Sequence, residues 1–131
     1  MRENDITLLD MEASIEHLSR GTLRHVDILL LITEPYYRSL ETLGRMVPLA
    51  RELGIKHIYV VANKVRGPGD KEAISRYCAE RELEVIAALP FDEEVLEADQ
   101  AGVPVLDANA EATYVKAVEQ LIDRLPAVEA H

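Results

Sequence analysis

The stretch HIYVVAN, residues 57–63, is an almost unbroken apolar run that ends in an asparagine, and it decides the fold prediction. A second run of the same kind, DILLLITE, occupies residues 27–34. Strands of a parallel sheet are covered on both faces, so their sequences are continuously apolar instead of alternating. Two further runs, ITLLD at 6–10 and EVIAALP at 84–90, complete a set of four predicted strands.

Helical patterns lie between these runs. One predicted helix has Ser39 as its N-cap and Gly54 in the left-handed position after its end, and Pro48 should kink it. Two more helices are predicted over residues 70–81 and 110–125. The alternation of strands and helices predicts a parallel α/β sheet with helices on both faces. The apolar face of the first helix consists of Leu40, Leu43, Met46, Val47, Ala50 and Leu53.

Composition excludes several classes of function. The 131 residues are enough for one domain and carry 14 Lys and Arg against 24 Asp and Glu, a net charge of −10. This charge repels nucleic acid and anionic membrane surfaces, so neither is expected as a partner. The longest apolar run, ILLLI, is far too short to span a bilayer. A single cysteine, Cys78, forms no intramolecular disulfide and fits a reduced cytoplasm.

Polar residues follow each predicted strand, where ligands of parallel α/β sheets bind. Asp10 offers carboxylate oxygens suited to Mg²⁺, and the amide of Asn63 matches the donor and acceptor on the edge of adenine. Taken singly, such an aspartate is more often a cap and such an asparagine a turn former. Their joint placement at one edge favours a nucleotide site. The full set is Asp10, Glu34 with Pro35, Asn63 with Lys64, and Pro90 with Asp92.

Four stretches together resemble a known family. They are LLDMEASIEHLSRGT at 8–22, VDILLLITEPYYRSLET at 26–42, ARELGIKHIYVVANKVRGP at 50–68 and LPFDEEVLEADQAG at 89–102. They resemble the second half of the CooC group, the nickel-handling ATPases that mature carbon monoxide dehydrogenase. That group belongs to the MinD and ParA class of deviant P-loop ATPases. The resemblance runs in one register from Ile6 to about Leu125 and implies a partial P-loop NTPase (Rossmann-like) fold.

The resemblance also implies roles for individual residues. Asp10 matches the catalytic Walker B type acid near Mg²⁺, and Asn63, followed by Lys64, matches the asparagine that contacts the base. The implied cofactor is ATP or ADP with Mg²⁺. Intact members dimerise with ATP between the subunits and deliver nickel to carbon monoxide dehydrogenase. Met11, Glu12, Ala13, Ser14 and Ile15 match the second switch segment, and Leu89, Pro90, Phe91 and Asp92 match the loop that closes over adenine.

The sequence departs from the family pattern in three ways. Ser14 stands where the family has a glycine, no Gly-x-x-x-x-Gly-Lys-Ser/Thr motif occurs, and the family's cysteine pair is absent. The expectation is a single α/β domain, residues 1–131, from the C-terminal portion of a longer ATPase. By itself it would neither hydrolyse ATP nor chelate nickel through thiolates. Its expected partner is the missing N-terminal P-loop half or a second copy of the chain, because the absent P-loop strand leaves unpaired sheet edges.

Parts of the sequence are open to three other interpretations. The sequence NKVR at 63–66 resembles the start of the guanine motif Asn-Lys-x-Asp, but Arg66 replaces the aspartate that motif requires. A phospho-receiver domain would gather several acids at one site, whereas Asp10 alone ends an early strand here. The remaining alternative is a non-catalytic interaction module that has kept the ATPase fold and acts by binding a partner or itself.

Overall fold

The computed structural model describes residues 27–129, with side chains as far as residue 125. Strands and helices alternate as far as residue 90, as predicted, and three helices follow. The predicted strand at 6–10 lies outside the described residues. The elements are β1 (Ile28–Thr33), α1 (Tyr37–Glu52), β2 (His57–Val65), α2 (Pro68–Ala79), β3 (Glu84–Pro90), α3 (Glu93–Gln100), α4 (Val105–Ala108) and α5 (Thr113–Glu129).

The described strands form one parallel sheet in the order β1-β2-β3. Ile28 pairs with His57 at the start of β1, and Tyr59 pairs with Glu84 at the start of β3. In the described part of the sheet, β1 has a neighbour on one side only. The predicted parallel α/β architecture is confirmed.

Helices cover both faces of the sheet, which explains why its strands are apolar throughout. On one face, Val60 and Ala62 of β2 pack in a cluster with residues of α1 and α2, including the fully buried Ile74. On the other face, Val61 of β2 and Ile86 of β3 pack against α5. Fully burying one such aliphatic side chain contributes about 1.5–3 kcal/mol.

The boundaries of α1 correct one prediction and confirm another. The helix begins at Tyr37, so Ser39 is not its N-cap; the serine lies in the first helical turn. Its hydroxyl instead accepts a hydrogen bond from the Glu34 N–H at 2.9 Å, because the preceding loop turns back over that turn. Gly54 follows the helix with φ +88°, the left-handed conformation predicted for it. The helix runs on through Pro48.

The other helices differ from prediction at their ends. Helix α2 begins at Pro68, whose fixed φ and missing N–H suit the first helical position, and it ends at Ala79 instead of 81. Helix α5 begins at Thr113 instead of 110 and runs to Glu129. The short helix α4 was not predicted. Between residues 27 and 129, no helix has both the length and the apolar composition needed to cross a membrane.

Candidate functional site

The carboxyl ends of the three described strands bring several predicted site residues together. Asn63 and Lys64 lie near the end of β2, and Val65 pairs with Pro90 at the end of β3. The backbone N–H of Phe91 then donates to the carbonyl of Val65 at 2.9 Å, so the loop after β3 is fixed to β2. Asn63, Lys64 and Pro90 therefore share one edge, as predicted.

Asn63 presents an unused acceptor. Its Oδ1 atom is buried and has no hydrogen-bond partner among the described residues. A buried acceptor without a donor costs about 1–3 kcal/mol, so such atoms usually have a partner. The exocyclic amino group of adenine is a donor of the kind this oxygen lacks. The residues at this edge therefore fit the base of ATP or ADP.

Lys64 has an unusual backbone and a charged partner. Its φ is +55°, in the left-handed region that residues other than glycine rarely adopt. Its Nζ atom lies 2.9 Å from Oε1 of Glu34, which follows β1. The hydrogen bond and the charge of Glu34 raise the pKa of Lys64 above its ordinary value. The ion pair thus joins the ends of neighbouring strands.

The ring of Phe91 is covered on one side by a cation. The guanidinium carbon of Arg66 lies 4.2 Å from the ring centroid, a cation–π contact that contributes about 0.5–1 kcal/mol at exposed sites. The backbone N–H of Arg66 donates to Oδ2 of Asp70 at 3.1 Å. A contact between Arg66 and Phe91 was not predicted from the sequence. Because Val65 pairs with Pro90, the residues that follow them, Arg66 and Phe91, are neighbours. This proximity depends on the register of the two strands.

Asp92 binds the backbone of two helices. Its Oδ1 accepts a hydrogen bond from the Glu94 N–H at 2.9 Å and caps α3, while its Oδ2 accepts one from the Tyr114 N–H at 3.0 Å, at the start of α5. Both carboxylate oxygens are therefore engaged by the fold. A contact of Asp92 with adenine stays a prediction.

The predicted metal and switch residues precede the described part of the chain. Asp10, Met11, Glu12, Ala13 and Ser14 lie outside the described residues, so their position relative to Asn63 stays a prediction. Residues 27–129 contain no group of three or more His, Cys, Asp or Glu side chains arranged to hold a metal ion. The thiol of Cys78 is buried in the core, and burial raises its pKa.

The fold is that of the ParA and MinD ATPases. A ParA family ATPase from Chlorobium tepidum TLS superimposes with a TM-score of 0.70 and 22% identity, over 86% of this chain and 48% of that one. The MinD cell division protein of Aquifex aeolicus superimposes with a TM-score of 0.69 and 15% identity, over 81% of this chain and 46% of the other. At these identities the likeness establishes the fold alone.

Sequence comparison identifies nearer relatives. The chain is 42% identical over 108 residues to the carbon monoxide dehydrogenase accessory protein CooC of Rhodospirillum rubrum, across 82% of this chain and 40% of that protein. It is 39% identical over 124 residues to an uncharacterized ATP-binding protein of Methanocaldococcus jannaschii, across 94% of this chain and 47% of the relative. A second ATP-binding protein of that organism is 37% identical over 126 residues. No protein-family model matches the sequence.

These matches confirm the predicted relationship. The chain is a homologue of the CooC accessory protein and of the ATP-binding proteins described, it shares the fold of ParA and MinD, and it corresponds to the C-terminal part of these proteins. It spans 40% to 49% of the length of the three sequence relatives described.

Proposed function

We propose that this chain supplies the adenine-binding edge of a CooC-type ATPase that inserts nickel during the maturation of carbon monoxide dehydrogenase in the cytoplasm. The observation that carries the proposal is the buried Oδ1 of Asn63, which has no hydrogen-bond partner within the part of the chain that the structure describes. The similarity to the Rhodospirillum rubrum accessory protein supports the maturation role and carbon monoxide dehydrogenase as the partner.

Base recognition follows from the chemistry of one amide. Asn63 Oδ1 accepts a hydrogen bond from the adenine amino group, and its Nδ2 donates to the adjacent ring nitrogen. Guanine carries a carbonyl oxygen where adenine carries the amino group, so the orientation of the Asn63 amide that pairs with adenine does not pair with guanine. Pro90 and Phe91 provide apolar cover for the base.

Phosphate chemistry requires a segment that these 131 residues do not include. Asp10 would hold Mg²⁺ beside the phosphates, with Met11, Glu12, Ala13 and Ser14 as the neighbouring switch segment. The bound Mg²⁺ would stabilise the charge that develops on the phosphates during hydrolysis. The phosphate-binding amides and lysine come from a P-loop half, in a dimer with ATP between its subunits. The chain by itself is expected to bind adenine nucleotides weakly and not to hydrolyse ATP.

Titration of ADP and GDP into the chain tests the base site, with and without a P-loop-containing N-terminal fragment of a CooC homologue. We expect the fragment to tighten ADP binding and restore hydrolysis, with ADP preferred over GDP. Asn63→Ala should lower the affinity for ADP about tenfold, the value of one good hydrogen bond. Gln120→Ala, which removes an exposed amide on α5, is the matched control. Equal binding of ADP and GDP, or an Asn63→Ala variant that binds ADP normally, would overturn the proposal.

The non-catalytic interaction module is the second candidate. It is favoured by Ile32 of β1, whose side chain is 59% exposed on a strand paired on one side in the described sheet. Such an edge favours association. This function predicts self-association by light scattering that Ile32→Lys abolishes, together with nucleotide binding that the P-loop fragment leaves unchanged.

A further inference from the structure

The C-terminal end of β2 contains one more residue than the part of β3 with which it pairs. The pairing with β3 changes from Ala62 opposite Ala88 to Val65 opposite Pro90, so β2 uses three steps where β3 uses two. Lys64 adopts its left-handed conformation within this bulge. A bulge re-aims the side chains beside it, and Asn63 directly precedes Lys64.

A lysine in this conformation requires support from its surroundings. The left-handed region brings Cβ of a non-glycine residue close to the following carbonyl, so the conformation persists only where neighbouring contacts hold it. The described contact that holds the Lys64 side chain is the ion pair with Glu34 at 2.9 Å.

Glu34 is itself fixed by the start of α1. Its backbone N–H donates to the hydroxyl of Ser39 at 2.9 Å, and that hydroxyl lies 3.0 Å from Oγ1 of the buried Thr33. The carboxylate that reaches Lys64 therefore extends from a backbone held by both β1 and α1.

We propose that Glu34 is a positioning residue for nucleotide-base recognition. It holds Lys64 in the left-handed bulge and thereby keeps Oδ1 of Asn63 at the base site. The inference rests on the proposed function of Asn63 and adds a coupling to it, because a shift of the β1–α1 loop would change the affinity for the base through Glu34 and Lys64.

The side-chain amide of Asn63 reports the position directly, without nucleotide. Its NMR signals in the 131-residue chain are assigned by their loss in Asn63→Ala. We expect Glu34→Gln to shift and broaden these signals and to weaken ADP binding about threefold to fivefold, the range of a half-exposed ion pair. Glu41→Gln breaks the Glu41–Arg45 pair on α1 and is the matched control that should change neither measurement.

Charge reversal separates positioning from direct contact with the nucleotide. The double variant Glu34→Lys with Lys64→Glu restores an ion pair of opposite polarity and should return the Asn63 amide signals and the ADP affinity toward wild type. If Lys64 instead contacts the nucleotide phosphates, the double variant will recover the amide signals but not the ADP affinity. That result would show that the weaker binding of Glu34→Gln does not come from the position of Asn63. Unchanged amide signals in Glu34→Gln would also overturn the proposal.

The two proposals fail in different ways. Normal ADP binding by Asn63→Ala refutes the base-contact function, whereas the amide signals of Glu34→Gln still decide whether Glu34 positions Asn63. Thermal melting of each variant checks that it is folded. A variant that melts normally with displaced amide signals supports positioning, and a lower melting temperature with undisplaced signals shows that the ion pair has only a structural role.

Discussion

The two ends of β2 differ in almost every property. From His57 to Ala62 the strand pairs in register with β1, and Val60, Val61 and Ala62 are at most 1% exposed. Beyond Ala62 the strand bulges, Lys64 is left-handed, and the Oδ1 acceptor of Asn63 has no partner in the described range, residues 27–125. The first part is built for stability, and the last part keeps features that lower it, a left-handed lysine and an acceptor without a partner among the described residues.

This contrast separates stability from recognition within one strand. Unbroken pairing with β1 and apolar burial fix the first part of β2, so the carboxyl end can tolerate a strained residue without loss of the fold. Variants of the first part should therefore change stability, whereas variants of the last part should change binding more than stability.

The largest expected effect breaks the stable part. Ile74 of α2 is fully buried in the cluster with Val60 and Ala62. Ile74→Ala should lower the free energy of unfolding by about 2–5 kcal/mol, because it removes apolar contacts and leaves a cavity. Urea denaturation measures the loss. Ile122→Ala, at a side chain that is 57% exposed, is the control and should cost far less.

The next largest effect concerns Asp92, whose carboxylate lies near the candidate site but accepts hydrogen bonds from two helices. Asp92→Ala removes acceptors for two helical N–H groups and should destabilise the chain by about 1–3 kcal/mol. Glu93→Ala, its exposed neighbour, is the control. Chemical denaturation of the two variants provides the comparison. Equal stability of both would show that these caps contribute little and that Asp92 is free for another role.

A smaller effect measures the strain at Lys64. Lys64→Gly and Lys64→Ala both remove the ion pair, but only glycine adopts φ +55° without a steric cost. We expect the glycine variant to be more stable than the alanine variant by about 1 kcal/mol. Differential scanning calorimetry of both variants checks the order. An alanine variant as stable as the glycine variant would show that the bulge is unstrained.

The smallest effect is the pH dependence of the Glu34–Lys64 pair. Glu34 raises the pKa of Lys64 above 10.5, so the pair's contribution is complete below that pH and is lost as the pH rises through the raised value. Both side chains are partly exposed, and screening limits the contribution to about 1 kcal/mol or less.

Comparison of the wild type with Glu34→Gln isolates the contribution of the Glu34–Lys64 ion pair to stability. The burial that raises the pKa of Cys78 also lowers stability in alkali, but it acts equally on both proteins and cancels in their difference. Denaturation curves near neutral pH should show the wild type slightly more stable, and the difference should disappear in strong alkali. A constant difference across this range would assign the effect to something other than the lysine charge.

The strands were predictable because continuous apolar runs carry their own signal. Strand β3 coincides with the predicted 84–90, and β1 lies within 27–34. The extension of β2 to Val65 was not predicted, since the bulge depends on its register with β3. The start of α1 was wrong because a serine suited to an N-cap bonds the preceding loop instead.

The sequence predicted which edge of the sheet forms the candidate site, but not the side-chain contacts at that edge. Asn63 and Pro90 were expected together from the rule that strand ends converge in parallel sheets, and the structure places them so. The pairing of Glu34 with Lys64, and of Arg66 with Phe91, requires the distance between strand ends that are far apart in sequence. Local sequence patterns do not show which of these residues are close in space.

The double attachment of Asp92 has a consequence for protein engineering. Because one carboxylate holds the beginnings of α3 and α5 together, residues 89–92 cannot be exchanged as an independent cassette. A chimaera that imports this loop from an ATPase must keep an aspartate at position 92 to accept the hydrogen bonds of the Glu94 and Tyr114 N–H groups. Without that carboxylate, the graft would also displace α3 or α5, and a change in nucleotide preference could not be assigned to the loop alone.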